Sequence, residues 1–392
     1  MVRKLAIDDV DKNLFPGKRV FVRVDFNVPV SDGRVVDDYR IKKALPTLHY
    51  LMDAGARLVL ASHLGRPKGR RVEALSLRPV AEHLSTLLGK DVAFAEDCIG
   101  EPAFGVVESL RDGDVALLEN LRFHSGEKEN DPRFVEELGK LADIYVNDAF
   151  GTAHRKHASV YGLPLLFEER FAGLLMKREI EYLGRVRENP DHPFVSIIGG
   201  AKVKDKMGVL ERLASVSDRL LIGGAMAYTF LRALGRGVGS SLVDEEGIDF
   251  AEDFLGRYGE KVVLPEDHVV SDGNTTEVVF GDIPDGFAGY DIGPSTIELF
   301  KSSVNGARMV FWNGPLGMFE KEDFSRGTFE IARFLAGYKD AERILGGGDT
   351  VSAIHAAGLK DDEFDHVSTG GGATLEFISG KELPAISVLK DL

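Results

Sequence analysis

Four arginines in this 392-residue chain stand after or beside short apolar runs. A guanidinium group is a planar fork that binds phosphate or carboxylate through paired hydrogen bonds, so converging arginines suit a small polyanion. Taken singly, each arginine is more often a solvated surface residue. Together, in an acidic chain, they predict an anion site. The four residues are Arg40, Arg66, Arg122 and Arg155.

Other polar residues in the same loops extend this predicted site. His63, His154 and His157 can add hydrogen-bond donors, and Asp25 and Asn27 in the segment DFNVP can orient a hydroxyl group. The last two histidines have HxxH spacing, but no third metal ligand is evident, so we favour structural or substrate-binding roles for them. Asp25 could also be only a turn or cap residue.

The second half of the chain carries glycine turns where the first carries charges. In IIGGAKVKDK (Ile197–Lys206) an apolar run passes through two glycines into a predicted helix. Glycines let the backbone approach phosphate, and a helix N-terminus presents free N–H groups to it. Lys202 and Lys206 would then lie one helical turn apart and face a polyphosphate, although each alone is as readily an exposed helix residue.

Two further glycine turns and a polar loop follow. GGGDT (Gly346–Thr350) places Asp349 to meet a magnesium ion and Thr350 to cap a helix, and STGGGA (Ser368–Ala373) supplies the third turn. Each would be weak evidence alone. The segment FWNGPLGMFE adds an amide, and a carboxylate that could accept hydrogen bonds from ribose hydroxyls, on Asn313 and Glu320.

Familiar nucleotide-binding motifs are missing from the sequence. G-x-x-x-x-G-K-[ST] does not occur, which excludes the P-loop enzymes. G-x-G-x-x-G does not occur either, which disfavours a nicotinamide dehydrogenase and a protein kinase. The lack of a G-x-S-x-G elbow disfavours the common covalent hydrolases.

The composition narrows the class of protein further. The formal net charge is −15, from 48 basic and 63 acidic residues. Nucleic-acid and membrane-surface binders need a basic face, so neither partner is expected. Cys98 is the single cysteine, which rules out an intrachain disulfide and zinc sites built from cysteine pairs. The sequence shows no signal-peptide core and no 18-residue apolar run, so we expect a cytoplasmic location.

Alternating strands and helices must position these residues. Short apolar runs recur in both halves, separated by stretches of helical spacing such as Ile41–Asp53 and Leu77–Leu88. This alternation predicts parallel sheets covered on both faces, with the polar residues and glycines where strands end. The strand-bearing segments are Val20–Val24, Leu58–Ser62, Val92–Ala95, Val115–Glu119, Ile144–Asp148, Phe194–Gly200, Arg219–Gly224, Lys261–Pro265, Met309–Pro315, Arg343–Gly348 and His366–Gly372.

The pattern pauses around Tyr161–Pro193, where the charged segment Lys177–Asn189 predicts a connecting helix. We therefore predict an α/β protein of two doubly wound, Rossmann-like parallel-sheet domains joined by a helix and hinge. Residues 1–170 would form the N-terminal domain with the anion site, and residues 171–382 the C-terminal domain with the glycine turns. The last residues, 383–392, could pack back onto the first domain.

Read in order, these segments resemble the phosphoglycerate kinase family, in its bacterial-type spelling, from end to end. The matching segments across Arg23–Ala373 are RVDFNVPV, DDYRI, SHLGRPKG, LLENLRFHSGE, VNDAFGTAHRKHAS, GGAKVKDK, GGAMAYTF, DIGP, FWNGPLGMFE, GGGDT and STGGGA. Each is moderately specific, and the series is very specific. The resemblance implies reversible phosphoryl transfer from 1,3-bisphosphoglycerate to ADP, giving 3-phosphoglycerate and ATP in glycolysis and gluconeogenesis, with Mg²⁺ as cofactor.

The resemblance also implies roles for individual residues. On the acid side it implies a glycerate-binding set of Asp25, Phe26, Asn27, His63, Leu64 and Gly65, phosphate clamps at Arg66, Arg122 and Arg155, and Arg40 nearest the reacting carboxyl. At the transferring group it implies Lys202, Gly371 and Gly372. On the nucleotide side it implies Lys206, Gly224, Asn313, Glu320, Gly347, Gly348, Asp349 and Thr350, with Asp349 on magnesium. Ala225, and the missing lysine after DIGP, depart from the family's usual spelling near the adenosine side.

Two rival functions stay open at this point. A kinase for a different small carboxylate would use the same two-site architecture, and a non-catalytic ligand-binding or sensor protein would use the scaffold alone. The presence of Arg40, Lys202 and Asp349 together argues against the second rival. The resemblance further implies a monomer, and a hinge that closes to keep water from the acyl phosphate. Candidate hinge segments are Gly162–Phe171 and the region around Lys381–Pro384.

Overall fold

The computed structural model describes residues 3–392 and divides into two compact units. The first unit contains the residues up to Glu181 together with Glu382–Leu392, and the second contains Tyr182–Lys381. The division falls inside one helix, Leu174–Glu188. Within the described residues, no helix combines the length and apolarity needed to cross a membrane.

A six-stranded parallel sheet forms the centre of the first unit, in the order β5-β6-β4-β1-β7-β8. Helices cover both faces of a parallel sheet, so its inner strands are apolar throughout rather than alternating. A short antiparallel hairpin, β2-β3, follows the first strand. The strands are β1 (Arg19–Arg23), β2 (Val30–Ser31), β3 (Arg34–Val35), β4 (Arg57–Ala61), β5 (Val92–Ala95), β6 (Val115–Leu118), β7 (Ile144–Asn147) and β8 (Arg170–Ala172).

Amphipathic helices pack on this sheet. The buried side chains of the first helix, among them Ile41, Ala44, Leu48 and Leu51, recur at spacings of three and four and join the core around Val22. The helices are α1 (Tyr39–Asp53), α2 (Arg78–Leu88), α3 (Gly100–Glu108), α4 (Ser125–Glu129), α5 (Pro132–Gly139) and α6 (Leu174–Glu188).

The second unit contains another six-stranded parallel sheet, ordered β11-β10-β9-β15-β16-β17, and a three-stranded antiparallel sheet, β13-β12-β14. The two central strands of the parallel sheet are completely buried. The strands are β9 (Phe194–Ile198), β10 (Arg219–Ile222), β11 (Val262–Val263), β12 (Asp267–Ser271), β13 (Thr276–Phe280), β14 (Ala288–Ile292), β15 (Met309–Asn313), β16 (Glu342–Gly346) and β17 (His366–Val367).

The α-helices that follow α6 lie between or after these strands, and all belong to the second unit except the last, which is part of the first unit's C-terminal segment. They are α7 (Met207–Val216), α8 (Met226–Ala233), α9 (Ile248–Tyr258), α10 (Pro294–Val304), α11 (Arg326–Gly337), α12 (Gly348–Ala356), α13 (Gly372–Ile378) and α14 (Pro384–Ser387). The predicted fold class, mixed α/β with two parallel sheets, is confirmed.

The antiparallel sheet β12–β14 and the edge strand β8 were not among the predicted strands. The cause is physical, because β13 is exposed along almost its whole length and its apolar run, Val278–Phe280, is only three residues long and shows no alternation. Strand β8 has only three residues, too few to give a pattern. The other missed strands, β2, β3, β12 and β14, are either two residues long or contain polar residues or glycine that interrupt an apolar run. The long buried strands were predicted to within one or two residues.

The C-terminal segment Glu382–Leu392 packs on the first unit. The Ala385 N–H donates to the Ala153 carbonyl at 3.1 Å, and the Lys390 N–H donates to the Arg170 carbonyl at 3.2 Å. Three side chains of the segment are almost completely buried: Leu383, Ile386 and Leu389. The segment therefore contributes apolar surface to a unit whose other residues end about 200 positions earlier.

We predict that Ile386→Ala lowers the free energy of unfolding of the first unit by about 2–5 kcal/mol, because it leaves a cavity under the C-terminal segment. Leu392→Ala is the matched control, since Leu392 is largely exposed and should change stability little. Denaturant unfolding followed by circular dichroism, with hydrogen exchange on β1 and β7, would measure both. Equal stability of the two variants would show that the segment adds nothing.

Candidate functional site

The carboxyl ends of β1 and β4 bring Asp25 and His63 together. The two strands pair in parallel, with Arg23 opposite Ala61, so the residues that follow them leave the sheet at the same edge. The His63 Nδ1 atom lies 3.8 Å from Asp25 Oδ1. Arg40, in the first turn of α1, donates from Nη1 to Asp25 Oδ2 at 2.8 Å. Asp25 is thus an ion-pair partner and not a simple turn residue.

A second group of contacts orders the loop after β4. The Arg122 Nη1 atom donates to the Gly65 carbonyl at 2.8 Å, and the Gly65 N–H donates to Asn27 Oδ1 at 2.9 Å. The Asn120 side chain accepts from the Leu64 N–H at 3.2 Å and donates to the Leu64 carbonyl at 2.8 Å. Gly65 has a φ of +61°, a conformation that favours glycine.

Arg122 carries a buried donor with no partner. Its Nε atom has no hydrogen bond within the described part of the chain, although the residue is largely buried. Burial, with repulsion from Arg155 and Arg23, lowers the pKa of Arg122 to about 10. A buried unpaired donor on a cation costs free energy that an anion would recover, so the surroundings of Arg122 suit an anionic ligand.

The other predicted residues of this half lie around the same edge. Burial, then repulsion from Arg66 and Arg23, lowers the pKa of Arg155 against the opposing attraction of Asp25. Arg66 itself is exposed. The Phe26 side chain is buried, and its N–H donates to Ser62 Oγ at 2.9 Å.

The three histidines of these loops differ in their surroundings. The pKa of His63 is well below its usual value, because burial and four nearby guanidinium groups disfavour the charged ring. Burial and nearby cations also lower the pKa of His157 to about 3. His154 Nε2 accepts a hydrogen bond from Arg155 Nε at 3.1 Å. All three rings thus lie beside cations.

The sequence interpretation missed a buried layer beneath this edge. Arg23 is 1 % exposed, and Glu127 and Ser159 are fully buried, yet all three are polar and linked to each other. The usable signal was Arg23, a charged residue inside the apolar run VFVRV. Glu127 and Ser159 gave no signal, because each stands in a segment that otherwise reads as a solvated loop.

In the second unit, Lys206 lies at the end of the glycine turn after β9. Its Nζ atom donates to the Gly199 carbonyl at 2.6 Å and to Asn313 Oδ1 at 2.8 Å. The Asn313 amide in turn donates to the Gly346 carbonyl at 2.7 Å. The ends of β9, β15 and β16 are therefore joined through one ammonium group and one amide.

Two sequence predictions, one about the start of α7 and one about the start of α12, are wrong. The helix begins at Met207, after a short 3-10 turn at Lys204–Lys206, so Lys202 precedes the helix and is exposed rather than one helical turn from Lys206. Thr350 does not cap α12, whose first flanking residue is Gly347. Its hydroxyl instead donates to the Gly346 carbonyl at 2.8 Å and accepts from the Gly314 N–H at 2.7 Å, which ties the turn to β15.

The glycines of this half lie where backbones approach each other closely. A Cβ on Gly224 would lie 2.6 Å from the Gly200 nitrogen, and one on Gly347 would lie 2.6 Å from Asn313 Nδ2. Gly347 also has a φ of +97°, which side-chain-bearing residues rarely adopt. The remaining predicted residues, Gly348, Asp349, Glu320, Gly371 and Gly372, are exposed or half-buried, and Gly348 and Gly372 are the first residues of α12 and α13.

Lys206 and Asp349 interact electrostatically. Burial lowers the pKa of Lys206 to about 8, and the carboxylates of Asp349 and Asp205 partly oppose that effect. Asp349 is an exposed carboxylate in the first turn of α12, next to free backbone N–H groups. A hard oxygen donor in that place fits Mg²⁺, which prefers one or two carboxylates, phosphate oxygens and water.

These features define a class of protein before any comparison. It is a two-unit α/β enzyme with a guanidinium-lined sheet edge in one unit and glycine turns around a lysine in the other, as expected for a phosphotransferase that binds two anionic molecules.

Comparisons with known proteins agree with this class. The family model of phosphoglycerate kinase matches residues 7–381. Curated phosphoglycerate kinases from Thermosipho africanus and Dictyoglomus turgidum are 50% and 49% identical, covering 98% and 100% of both chains. The solved phosphoglycerate kinase of Coxiella burnetii has a TM-score of 0.87 at 38% identity, and that of Pyrococcus horikoshii 0.86 at 34%, each with 98% of both chains covered.

The chain belongs to the phosphoglycerate kinase family. It is accordingly a kinase that transfers phosphate to a carboxyl group, and its substrates are small molecules. The resemblance seen in the sequence is confirmed.

The lowered pKa of Lys206 predicts a pH dependence of stability. The folded pKa is about 8 and the unfolded pKa about 10.5, so the unfolded state binds more protons between these values. The free energy of unfolding of the second unit should therefore rise as the pH increases from about 8 to about 10. Trp312, the single tryptophan, is fully buried in this unit and can report its unfolding in urea.

Lys206→Met should abolish that part of the rise, and Lys204→Met should retain it, since Lys204 is exposed. Taking the difference between variants cancels the titration of all other groups. Identical slopes for Lys206→Met and the unsubstituted protein would contradict the prediction.

Proposed function

We propose that this enzyme catalyses the reversible, Mg²⁺-dependent transfer of a phosphoryl group between 1,3-bisphosphoglycerate and ADP, giving 3-phosphoglycerate and ATP, in glycolysis and gluconeogenesis. The observation that carries the proposal is Arg122, a buried guanidinium group among further arginines, whose Nε atom has no hydrogen-bond partner within residues 3–392. That arrangement suits a phosphorylated acid. Membership of the phosphoglycerate kinase family supports it.

On the acid side, we assign the phosphate that is not transferred to three arginines, Arg66, Arg122 and Arg155. Arginine forks hold a phosphate through paired hydrogen bonds. Asp25, Asn27 and His63 would hold the glycerate hydroxyl and backbone, with Phe26, Leu64 and Gly65 forming the adjoining wall. Arg40 would lie nearest the reacting carboxyl, oriented by its ion pair with Asp25.

On the nucleotide side, Lys206 would neutralise phosphate charge. Gly224, Gly347 and Gly348 would allow close approach of backbone N–H groups, with Asn313 and Thr350 fixing the turns. Glu320 would accept hydrogen bonds from the ribose. Lys202 would follow the transferring group, and the start of α13 at Gly371 and Gly372 would offer it free N–H donors.

The chemistry needs no general base, because a carboxylate is already a competent nucleophile. Phosphoryl transfer spreads negative charge over the oxygens in its transition state, so the protein's task is to position both reactants and neutralise that charge. Arg40 and Lys202 carry the cations for this. Bound Mg²⁺, held by Asp349, would neutralise charge on the nucleotide phosphates.

We further propose hinge-bending, because the acid-side and nucleotide-side residues belong to different units and transfer requires their ligands to meet. The hinge segments Gly162–Phe171 and the region around Lys381–Pro384 stay predictions. So do the monomeric state and the cytoplasmic location.

An assay of ATP consumption with Mg²⁺ and three acceptors tests the proposal. ADP should form with 3-phosphoglycerate, and far more slowly with glycerate or acetate, because neither offers a phosphate to the arginines. Removal of Mg²⁺ with a chelator should abolish the activity. Equal rates with glycerate would favour a kinase for a different carboxylate, and no 3-phosphoglycerate-dependent ADP formation would overturn the proposal.

Lys202→Ala should lower kcat by about 10²–10³-fold while the KM for 3-phosphoglycerate changes much less, because the lysine would act on charge that develops in the transition state. Lys204→Ala is the matched control. Lys204 lies two residues away, is exposed and pairs with Glu246, so its loss should leave kcat unchanged. Near-normal turnover of Lys202→Ala would remove Lys202 from the proposed mechanism.

A further inference from the structure

Arg23 ends strand β1 with its guanidinium group inside the first unit. Its Nε atom donates to Ser159 Oγ at 2.9 Å, its Nη1 atom donates to the Val24 carbonyl, and its Nη2 atom lies 3.2 Å from His63 Nδ1. A guanidinium group has five N–H donors and no acceptor. Each of these contacts therefore has a fixed direction, from Arg23 to its partner.

The partners of Ser159 fix the orientation of its hydroxyl. Ser159 Oγ donates to Glu127 Oε1 at 2.7 Å, and the Ser159 N–H donates to Glu127 Oε2 at 2.9 Å. The Ser159 carbonyl also accepts from the Tyr145 hydroxyl at 2.9 Å. Since the hydroxyl proton is committed to Glu127, the lone pairs of Ser159 Oγ are left to accept from Arg23.

Glu127 supplies the counter-charge to this buried arginine. Burial raises the pKa of Glu127, and attraction by Arg23 opposes that rise. The two groups do not touch, and Ser159 lies between them as the shared hydrogen-bond partner. Without a carboxylate at this place, Arg23 would be an uncompensated buried cation beside Arg122, which a protein interior strongly disfavours.

The contact with His63 has a chemical consequence. An imidazole nitrogen that accepts a hydrogen bond carries no proton, so Nδ1 of a neutral His63 is bare and Nε2 holds the ring's one proton. The groups that face His63 are the cations Arg23, Arg40, Arg122 and Arg155 and the carboxylate of Asp25. The bare Nδ1 cannot donate to Asp25 Oδ1, 3.8 Å away, which has no hydrogen-bond partner in the part of the chain that the structure describes.

We propose that Glu127 and Ser159, acting through Arg23, are positioning residues that hold His63 in its Nε2–H tautomer. We call the hydrogen-bonded series Glu127, Ser159 and Arg23 the relay. The relay thereby presents two groups of fixed polarity at the sheet edge: a donor on His63 Nε2 and a free acceptor on Asp25 Oδ1. Under the proposed function, these are a donor for the anionic groups of the glycerate and an acceptor for its hydroxyl. This last step rests on the proposed function, while the tautomer does not.

The direct test is the tautomer of His63 in the full-length protein without substrate, measured from the ¹⁵N chemical shifts of its ring. The unsubstituted protein should show a protonated Nε2 and a bare Nδ1. Ser159→Ala and Glu127→Gln should both shift His63 toward a mixture with the Nδ1–H tautomer. In Ser159→Ala the Arg23 Nε atom loses its acceptor, and in Glu127→Gln the amide cannot accept both bonds from Ser159.

Kinetics supply the second readout. The KM for 3-phosphoglycerate should rise about tenfold in Ser159→Ala, with kcat changed less. The reason is that the substitution weakens the hydrogen bond from His63 to a charged group of the ligand. Ser196→Ala is the matched control: Ser196 is also fully buried, with its hydroxyl 2.7 Å from that of Ser217, but it lies in the second unit. It should keep the His63 tautomer and the KM. Thermal unfolding of all variants separates these effects from a loss of stability.

Three outcomes would overturn the inference. They are an Nδ1–H tautomer in the unsubstituted protein, an unchanged tautomer in both Ser159→Ala and Glu127→Gln, and a change in Ser196→Ala as large as that in Ser159→Ala. If the tautomer shifts as expected but 3-phosphoglycerate is not a substrate, the positioning role stands and the proposed function fails. The two conclusions can therefore be separated.

Discussion

Burial of positive charge is the constraint on which the first unit depends. Arg23 is inside the protein, Arg122 is largely buried, and Arg40 and Arg155 lie at the same sheet edge. Like charges in a medium of low dielectric repel strongly. Burial first, and then this repulsion, lowers the pKa values of Arg122 and Arg155. Among the residues that the structure describes, the carboxylates that act on Arg122 and Arg155 are Asp25 at the edge and Glu127 beneath it. The remaining deficit is what a polyanionic ligand would supply.

The candidate site of the second unit contains less fixed positive charge than that of the first unit. The ammonium group of Lys206 donates to a carbonyl and an amide oxygen, and the other features that we propose to bind phosphate are backbone turns. Glycine is required at Gly224 and Gly347 because a Cβ would meet neighbouring atoms at 2.6 Å. Backbone N–H dipoles attract anions at close range without the mutual repulsion that clustered arginines carry.

The sequence allowed the fold class and much of the candidate site to be predicted, for a local reason. Buried strands such as β1 and β15 are continuous apolar runs, and in parallel sheets the residues after each strand gather at one edge. Asp25, His63 and Arg122 were found in that way. The relay from Arg23 to Glu127 could not be found, because its members are up to 136 positions apart and their pairing depends on strand order. The predictions of the exposed strand β13 and of the start of α7 failed for another reason. At strand edges and helix ends, tertiary contacts override the local sequence pattern.

The crowding of arginines also explains why His63 must act without charge. A charged His63 would add a fifth cation to the four nearby arginines. Burial and repulsion from these arginines lower the pKa of His63 well below its usual value, which disfavours the charged ring. A neutral imidazole is useful to a ligand only if its proton is on the correct nitrogen, since the wrong tautomer presents a lone pair to an anion. An arginine that can only donate settles this question more firmly than a hydroxyl or a water molecule, either of which could donate or accept. Burying Arg23 costs free energy, but it fixes the direction of the hydrogen bond to His63. Glu127 makes that burial possible by supplying the counter-charge.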